Sequence, residues 1–158
     1  MGSACTSVVT EYRRKEARHN APITIEVDRL STSERRTLIT ELLWSYRQVH
    51  LPMMETVSAE EYAKAGRESA EAWSALEAAF GNRQQFNEQL LQTSNDDDAR
   101  SIEAMIHGWS DEISWLGDGG AGGALVEEAE TAEECCAKTA MFMEDRHWPF
   151  TKIIRYVY

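Results

Sequence analysis

The sequence predicts an α+β protein that is mainly α-helical, with a bundle of about five helices between two strands, residues 23–27 and 153–157. In the first strand Ile23, Ile25 and Val27 alternate with polar residues, which is typical of a strand with one buried face. The closing stretch KIIRYVY is rich in the β-branched and aromatic residues that favour strands. Between the two strands, apolar residues recur at helical spacing.

The first two predicted helices each begin at an S-x-x-E capping box, at residues 31–34 and 58–61. We expect the first helix to end before Pro52 and the second to end at Gly81. Their apolar stripes predict the buried faces. These stripes are Leu38, Leu42, Leu43, Tyr46 and Val49 in the first helix, and Tyr62, Ala65, Ser69, Trp73, Leu76 and Phe80 in the second.

Three more helices are predicted behind these two. A short helix carries Phe86, Leu90 and Leu91, and the next begins in SNDDD, which supplies an N-cap and acidic residues that suit a helix dipole. The last runs from about residue 126 to 145, with Cys135, Cys136, Thr139 and Met143 near its buried side. Residues 1–20 lack a strong period, and no strand is predicted there.

Composition and charge limit the function classes. A chain of 158 residues, 42% hydrophobic, is one domain's worth of sequence and can bury a core. The net charge of −11 argues against general affinity for nucleic acid. Three cysteines without C-x₂-C spacing argue against zinc and suit a reducing intracellular compartment, the cytoplasm or the nucleus. No apolar run approaches 18 residues, so we expect membrane contact only through acylation or a larger parent protein.

Two local patterns are weak. The string Gly117-x-Gly119-x-x-Gly122 matches a dinucleotide fingerprint, but it follows a predicted helix, so we interpret it as a linker. His107 and Asp111 lie four residues apart on a helix, which predicts a surface polar pair.

The opening MGSACTSVVTEY supports two interpretations. It fits the N-myristoylation pattern at Gly2, with Cys5 as a second lipid site and a basic segment behind it. It is also a small, Thr-rich segment of the kind that closes over the phosphates of a nucleotide.

Three stretches together, GSACTSVVTEY, PITIEV and WPFTKIIRYVY, resemble the dynamin-like large GTPases, most closely the fungal proteins similar to the vertebrate nuclear GTPase. The resemblance covers residues 2–30 and 146–158. It implies a slice of a P-loop GTPase fold in which ACTSVVT is switch I. Thr6, or Thr10 in its place, would then bind GTP with Ser7 nearby, and Thr6 would help to hold Mg²⁺. It also implies that the strand of Ile153 and Val157 is the antiparallel neighbour of residues 23–27.

The sequence departs from the family where the phosphates and the base are bound. The 158 residues contain no G-x-x-x-x-G-K-[ST], no D-x-P-G and no [NT]-K-x-D. We therefore expect a switch-I-like segment at 1–20 and a partial GTPase domain at 21–158, with a helical insert at 31–147. Such a chain is either an incomplete gene model or a degenerate relative.

We expect this chain alone neither to bind GTP tightly nor to hydrolyse it. The resemblance implies self-association through G-domain surfaces and protein partners at the insert. The alternative is a small helical interaction or adaptor protein, N-myristoylated at Gly2 if it acts at a membrane.

Overall fold

The computed structural model describes residues 8–51, 56–93, 95–113, 125–144 and 147–158. They form two compact units: a helical unit, Thr32–Ile113, and a sheet unit made from the described parts of Cys5–Ser31 and Ser114–Tyr158. The predicted α+β class is confirmed, with five α-helices within these ranges. The elements are β1 Val9–Arg13, β2 Ile23–Arg29, α1 Thr32–Gln48, α2 Ala59–Phe80, α3 Glu88–Leu91, α4 Asp96–Glu112, β3 Leu125–Ala129, α5 Ala132–Phe142 and β4 Thr151–Val157, with a 3₁₀ turn at Trp148–Phe150.

The sheet unit is built on a four-stranded mixed sheet of order β1-β4-β2-β3. Strand β4 pairs antiparallel with β2, and Val27 lies opposite Ile154, so the predicted pairing of the two strands is confirmed. On its other side β4 pairs parallel with β1. Strand β3 extends the sheet by pairing antiparallel with β2.

Strands β1 and β3 correct the prediction. No strand was assigned to residues 1–20 from the sequence, and residues 126–145 were expected to be one helix. Instead β3 occupies Leu125–Ala129, and α5 begins only at Ala132, capped by the hydroxyl of Thr131. The stretch LVEEA is rich in good helix formers, but its ladder with β2 outweighs that local preference.

The alternation of β2 gives the sheet one apolar and one polar face. Ile25 and Val27 pack with Ile154 on the apolar face, in a core that also contains Cys135 and Phe142 of α5. Glu26 and Asp28 point to the other face together with Arg155. The alternation in residues 23–28 therefore predicts both faces correctly.

Helix α2 supplies most of the core of the helical unit. Leu76 and Phe80 are fully buried, as their stripe predicts. Tyr62 is 52% exposed, so its predicted burial is wrong, and the buried Ile39 of α1 was missed. A run of aromatic rings crosses the core, with neighbouring centroids 5.1 to 6.4 Å apart. The rings are Tyr46, Trp73, Phe86, Phe80 and Trp109.

The predicted capping signals at the helix termini are present in three places. Ser58 accepts a hydrogen bond from the Glu61 amide at 3.2 Å, and the Glu61 carboxylate accepts one from the Ser58 amide at 3.1 Å. Asn95 accepts bonds from the first-turn amides of α4, beside three aspartates that suit its positive end. At Gly81 a Cβ atom would lie 2.5 Å from the Glu77 carbonyl oxygen, which explains why glycine ends α2.

We predict that Phe80→Ala lowers the free energy of unfolding of the helical unit by about 3–5 kcal/mol, because it opens a cavity beneath Phe86 and Trp109. Tyr62→Ala on the same helix should cost less than about 1 kcal/mol, since Tyr62 is exposed. Urea unfolding followed by tryptophan fluorescence measures both changes. Equal losses in the two variants would contradict this account of the core.

Candidate functional site

Of the three residues predicted to bind nucleotide, Thr6, Ser7 and Thr10, only Thr10 lies among the described residues. Thr10 is an exposed residue of β1, opposite Ile154 of β4 in the parallel ladder. Thr6 and Ser7 lie outside the described residues, as do Gly2, Cys5 and the glycines at 117–122. The structure therefore positions the strand that follows Thr6, and places Thr10 on an outer strand of the sheet.

The polar face carries Arg155 among three carboxylates. Arg155, in the middle of β4, donates to Glu11 of β1 at 2.9 Å and to Asp28 of β2 at 2.9 Å. Its third neighbour, Glu26 of β2, lies 3.8 Å away. The Arg155 side chain is 17% exposed, and that of Glu26 is 13% exposed. We call these four residues the Arg155 network.

Hydrogen bonds, more than contact with solvent, stabilise the charged groups of the Arg155 network. The Arg155 guanidinium donates to the Glu11 carboxylate and holds its pKa below the ordinary value. Desolvation acts against the charge on Arg155, but the bonds to Asp28 and Glu11 outweigh it and raise the arginine pKa. An arginine does not lose its proton in proteins, so the network stays charged and clamps three strands together.

The segment between β1 and β2 covers part of this face. His19 accepts a hydrogen bond at Nδ1 from the Glu16 amide at 3.0 Å, and its Nε2 lies 3.6 Å from Glu26. The hydroxyl of Thr24 is buried, with no hydrogen-bond partner among the described residues. The polar face is thus partly dry around Glu26, which strengthens the ion pairs there.

The opposite face carries an open apolar groove of about 720 Å³ between the sheet and α5. We call it the tyrosine groove. Tyr12 and Tyr156 stack in it with centroids 5.5 Å apart. Its lining residues are Tyr12, Ile23, Ala132, Cys135, Cys136, Thr139, Ala140, Met143, Tyr156 and Tyr158.

Hydrogen bonds fix the polar atoms of the groove. The Tyr156 hydroxyl donates to Thr139 at 3.1 Å, and Thr139 donates to the Cys135 carbonyl at 2.9 Å. Burial raises the pKa of both Tyr156 and Cys135, so these groups stay neutral near pH 7. Cys136 is exposed, so its predicted place near the buried side of α5 is wrong. The groove thus presents mainly apolar and aromatic surface with satisfied polar groups.

In the helical unit the predicted pair of His107 and Asp111 is not formed. His107 Nε2 lies 3.3 Å from Glu103, while Asp111 accepts from Arg36 at 2.6 Å. Thr40 donates to Glu103 at 2.6 Å, and this bond lowers the pKa of the Glu103 carboxyl. A shallow cleft of about 90 Å³ adjoins these groups and the exposed Trp44. Thr40 and Glu103 both approach the same nitrogen of His107, so the three do not have the relay geometry of a hydrolytic triad.

We predict that Arg155→Met lowers the free energy of unfolding of the sheet unit by about 3 kcal/mol at pH 7, because three carboxylates lose their shared cation. The loss should shrink near pH 4, where the carboxylates can take up protons. Arg14→Met is the matched control, since the Arg14 side chain is exposed and forms no ion pair with another described residue, and this substitution should cost less than about 1 kcal/mol. Urea unfolding at both pH values tests this, and equal effects of the two substitutions would rule out a special role for Arg155.

The stability of the Glu11→Gln variant, measured over a range of pH, tests the contribution of a carboxylate to the Arg155 network. Because the Glu11 pKa is lowered in the folded state, its stabilising contribution is present above the unfolded value of about 4.3 and disappears as the pH falls through the folded value. The difference in stability between wild type and Glu11→Gln should therefore be largest near neutral pH and smallest in acid. A difference that grows as the pH falls would show that the Glu11 pKa is not lowered in the folded state.

Comparisons of the chain with known proteins found no match. No family model, no curated protein and no solved structure matches it. Among the described residues no group of three or more potential metal ligands lies together, and no described helix is both long and apolar enough to cross a membrane. Its function is therefore inferred from its motifs and from the geometry of the sheet unit.

Proposed function

We propose that this chain is part of the GTP-binding domain of a dynamin-like GTPase, with residues 4–10 in the role of switch I. GTP and Mg²⁺ are the ligands of the intact domain. Thr6, or Thr10 in its place, contributes a hydroxyl to Mg²⁺ and the γ-phosphate, and Ser7 lies beside it. This role requires a segment that becomes ordered when the nucleotide binds.

The observation that supports the proposal most is the pairing of β2 with β4. The two stretches that resemble the family, residues 2–30 and 146–158, lie at opposite ends of the sequence, with a helical unit between them. They are nevertheless neighbours in one sheet, where Thr24 lies opposite Val157 and Val27 opposite Ile154. The resemblance implies this antiparallel pairing, and the stretch most similar to switch I, residues 4–10, extends into β1 of the same sheet at Val9 and Thr10.

The chemistry of phosphate binding explains why this chain alone should be inactive. A P-loop supplies the lysine and the backbone amides that hold the β- and γ-phosphates. The 158 residues contain no such motif, so a switch threonine has no bound phosphate to contact. Positioning and electrostatic stabilisation account for most of phosphoryl-transfer catalysis, and both depend on those missing groups.

We expect isothermal titration of this chain with GTP and Mg²⁺ to give no submicromolar dissociation constant, and a phosphate-release assay to give no turnover. A clean submicromolar affinity would contradict the proposal that GTP binding requires a P-loop outside these 158 residues.

A second experiment separates the proposal from an unrelated helical protein, which would also fail to bind GTP. The transcript is sequenced in frame on both sides of the coding segment. We expect G-x-x-x-x-G-K-[ST] upstream of Gly2 and D-x-P-G after Tyr158. In the protein encoded by that frame, Thr6→Ala should lower GTP hydrolysis by on the order of 10²-fold, the usual effect of losing one preorganised transition-state contact. Thr10→Ala is the control for position, and a larger loss in this variant would move the switch role to Thr10.

The alternative function is a helical interaction module, N-myristoylated at Gly2 if it acts at a membrane. The exposed Trp44 of α1 favours it, because a tryptophan that is 55% exposed beside a cleft is a common anchor at protein interfaces. Mass spectrometry of the N-terminal peptide from cells tests the lipid. A myristoyl group on Gly2 supports the adaptor, whereas an unmodified terminus removes the membrane version.

A further inference from the structure

Strand β1 is the open edge of the sheet. Within the described ranges it has only β4 beside it. The opposite edge strand, β3, is partly engaged within its own chain, because Lys138 donates to the Glu128 carbonyl and the Glu130 amide donates to the Glu134 carboxylate. Another strand can therefore pair with β1 more readily than with β3.

The hydrogen bonds at the end of β1 show which of its backbone groups face outward. The Lys15 amide donates to the Tyr158 carbonyl at 2.9 Å, and the Tyr158 amide donates to the Arg13 carbonyl at 3.1 Å. Successive residues of a strand direct their backbone groups to alternate sides, so Arg13 and every second residue before it face β4. The amides and carbonyls that face away from the sheet are those of Thr10, Tyr12 and Arg14.

We propose that two copies of this chain pair through β1, antiparallel and centred on Tyr12, so that the four strands of each copy join in one continuous sheet. The contact is two-fold, with the same surface contributed by each copy. Tyr12 and Thr10 bond, through their outward backbone groups, Tyr12 and Arg14 of the second copy. Both β1 edges are then used, so the assembly stops at two copies. The proposal concerns this chain of 158 residues and does not depend on nucleotide binding.

The charges of β1 select this register. Centred on Tyr12, the ladder places Glu11 opposite Arg13 of the second copy, and Arg13 opposite its Glu11, all on the polar face. Opposite charges that face each other across a ladder attract. A ladder centred on Glu11 or on Arg13 would place that residue opposite its own counterpart, and like charges directly opposite are destabilising. A ladder centred on Thr10 would place Glu11 opposite Val9 and form no charge pair.

Glu11 can accept a bond from the second copy although it is already bonded within its own chain. The Arg13 and Arg155 side chains both donate to its Oε2 atom at 2.9 Å, and no described residue bonds its Oε1 atom. A carboxylate can accept bonds at both oxygens. The Arg13 side chain is 57% exposed, so it can also contact Glu11 of the second copy. The two copies thus bring two carboxylates and two guanidinium groups together in alternation.

The apolar face gains a contact at the same axis. Tyr12, at 69%, is the most exposed large hydrophobic side chain among the described residues, and it stacks on Tyr156. In the proposed ladder the two Tyr12 residues lie directly opposite each other, with their Cα atoms about 5.5 Å apart. The tyrosine grooves of the two copies meet there, and aromatic pairs across a ladder are stabilising.

The net charge of −11 on each copy opposes association, but over a longer range than the edge contacts. At about 0.1 M salt the screening length is about 10 Å, so charges far apart on two copies interact weakly while pairs in contact remain attractive. The interface is a single strand pair, which belongs to the weak, transient class. We expect a concentration-dependent equilibrium between monomer and dimer.

Sedimentation velocity at about 0.1 M salt, over concentrations from micromolar to millimolar, tests the proposal. Wild type should pass from monomer to dimer and form no larger species. Thr10 lies opposite Arg14 of the second copy in the proposed ladder, both side chains are exposed, and neither bonds another described residue. Thr10→Glu should therefore tighten the dimer about fivefold, and Thr10→Lys should weaken it about fivefold, because each change acts twice across the two-fold axis. T10K/R14E should associate more tightly than T10K, since the charges across the ladder are again opposite.

The effect of net charge alone would have the opposite sign. Thr10→Glu makes an already acidic chain more negative, and Thr10→Lys makes it less negative. At about 1 M salt, where the screening length is about 3 Å, the difference between the two variants should shrink. Ala63→Glu and Ala63→Lys make the same charge changes at an exposed position of α2 and should leave association unchanged. Circular dichroism should match wild type in every variant, because no side-chain bond within the described residues is lost.

Amide hydrogen exchange of the wild type tests the contact without any substitution. Exchange at Tyr12 and Arg14, whose amides face outward, should slow as the concentration rises, whereas exchange at Glu11, whose amide faces β4, should not change. A wild type that stays monomeric over the whole series, or that forms species larger than a dimer, would overturn the proposal. Exchange at Tyr12 that is independent of concentration, or a Thr10→Glu dimer no tighter than that of Thr10→Lys, would do the same.

Discussion

The sheet unit depends on β4, which must lie between β1 and β2. These two strands are close to each other in sequence, and both are far from β4. Arg155 meets this requirement because its guanidinium bonds Glu11 of β1 on one side and Asp28 of β2 on the other. Bringing β2 and β4 together closes a loop of roughly 120 residues, at an entropic cost of about 4 kcal/mol. Ladder hydrogen bonds, burial of Ile25, Val27 and Ile154, and the Arg155 network together offset this cost.

The two faces of the sheet stabilise it in different ways. The polar face fixes which strands are neighbours, because one cation has to meet carboxylates from both sides. The apolar face supplies burial against α5 and leaves the tyrosine groove open beside β1. The switch-I-like segment leads into β1, so the strand that would anchor it is held by Glu11 and Arg155. In this way the stability of the sheet and the proposed nucleotide role depend on the same strand.

What the sequence could predict was the structure that depends on neighbouring residues. The alternation in residues 23–27, the Ser58 capping box and the Asn95 cap are all set by local spacing, and all are present. Strands β1 and β3 could not be predicted in the same way, because their partners lie far along the chain and LVEEA favours helix locally. The partners of Arg155 come from two other strands, so its role became visible only in three dimensions. The switch-I prediction remains untested, since Thr6 lies outside the described residues.

The order of the strands in the chain has a consequence for synthesis on the ribosome. The helical unit is one continuous stretch, Thr32–Ile113, and its contacts can form as soon as that stretch has emerged. The sheet has to wait, because its central strand β4 is the last element made. Until then β2 has neither its ladder with β4 nor its bond to Arg155, and Ile25 and Val27 lack their contact with Ile154. The helical unit can thus fold while the segment that contains β2 is still incomplete. Chaperones can bind that segment until β4 has been made.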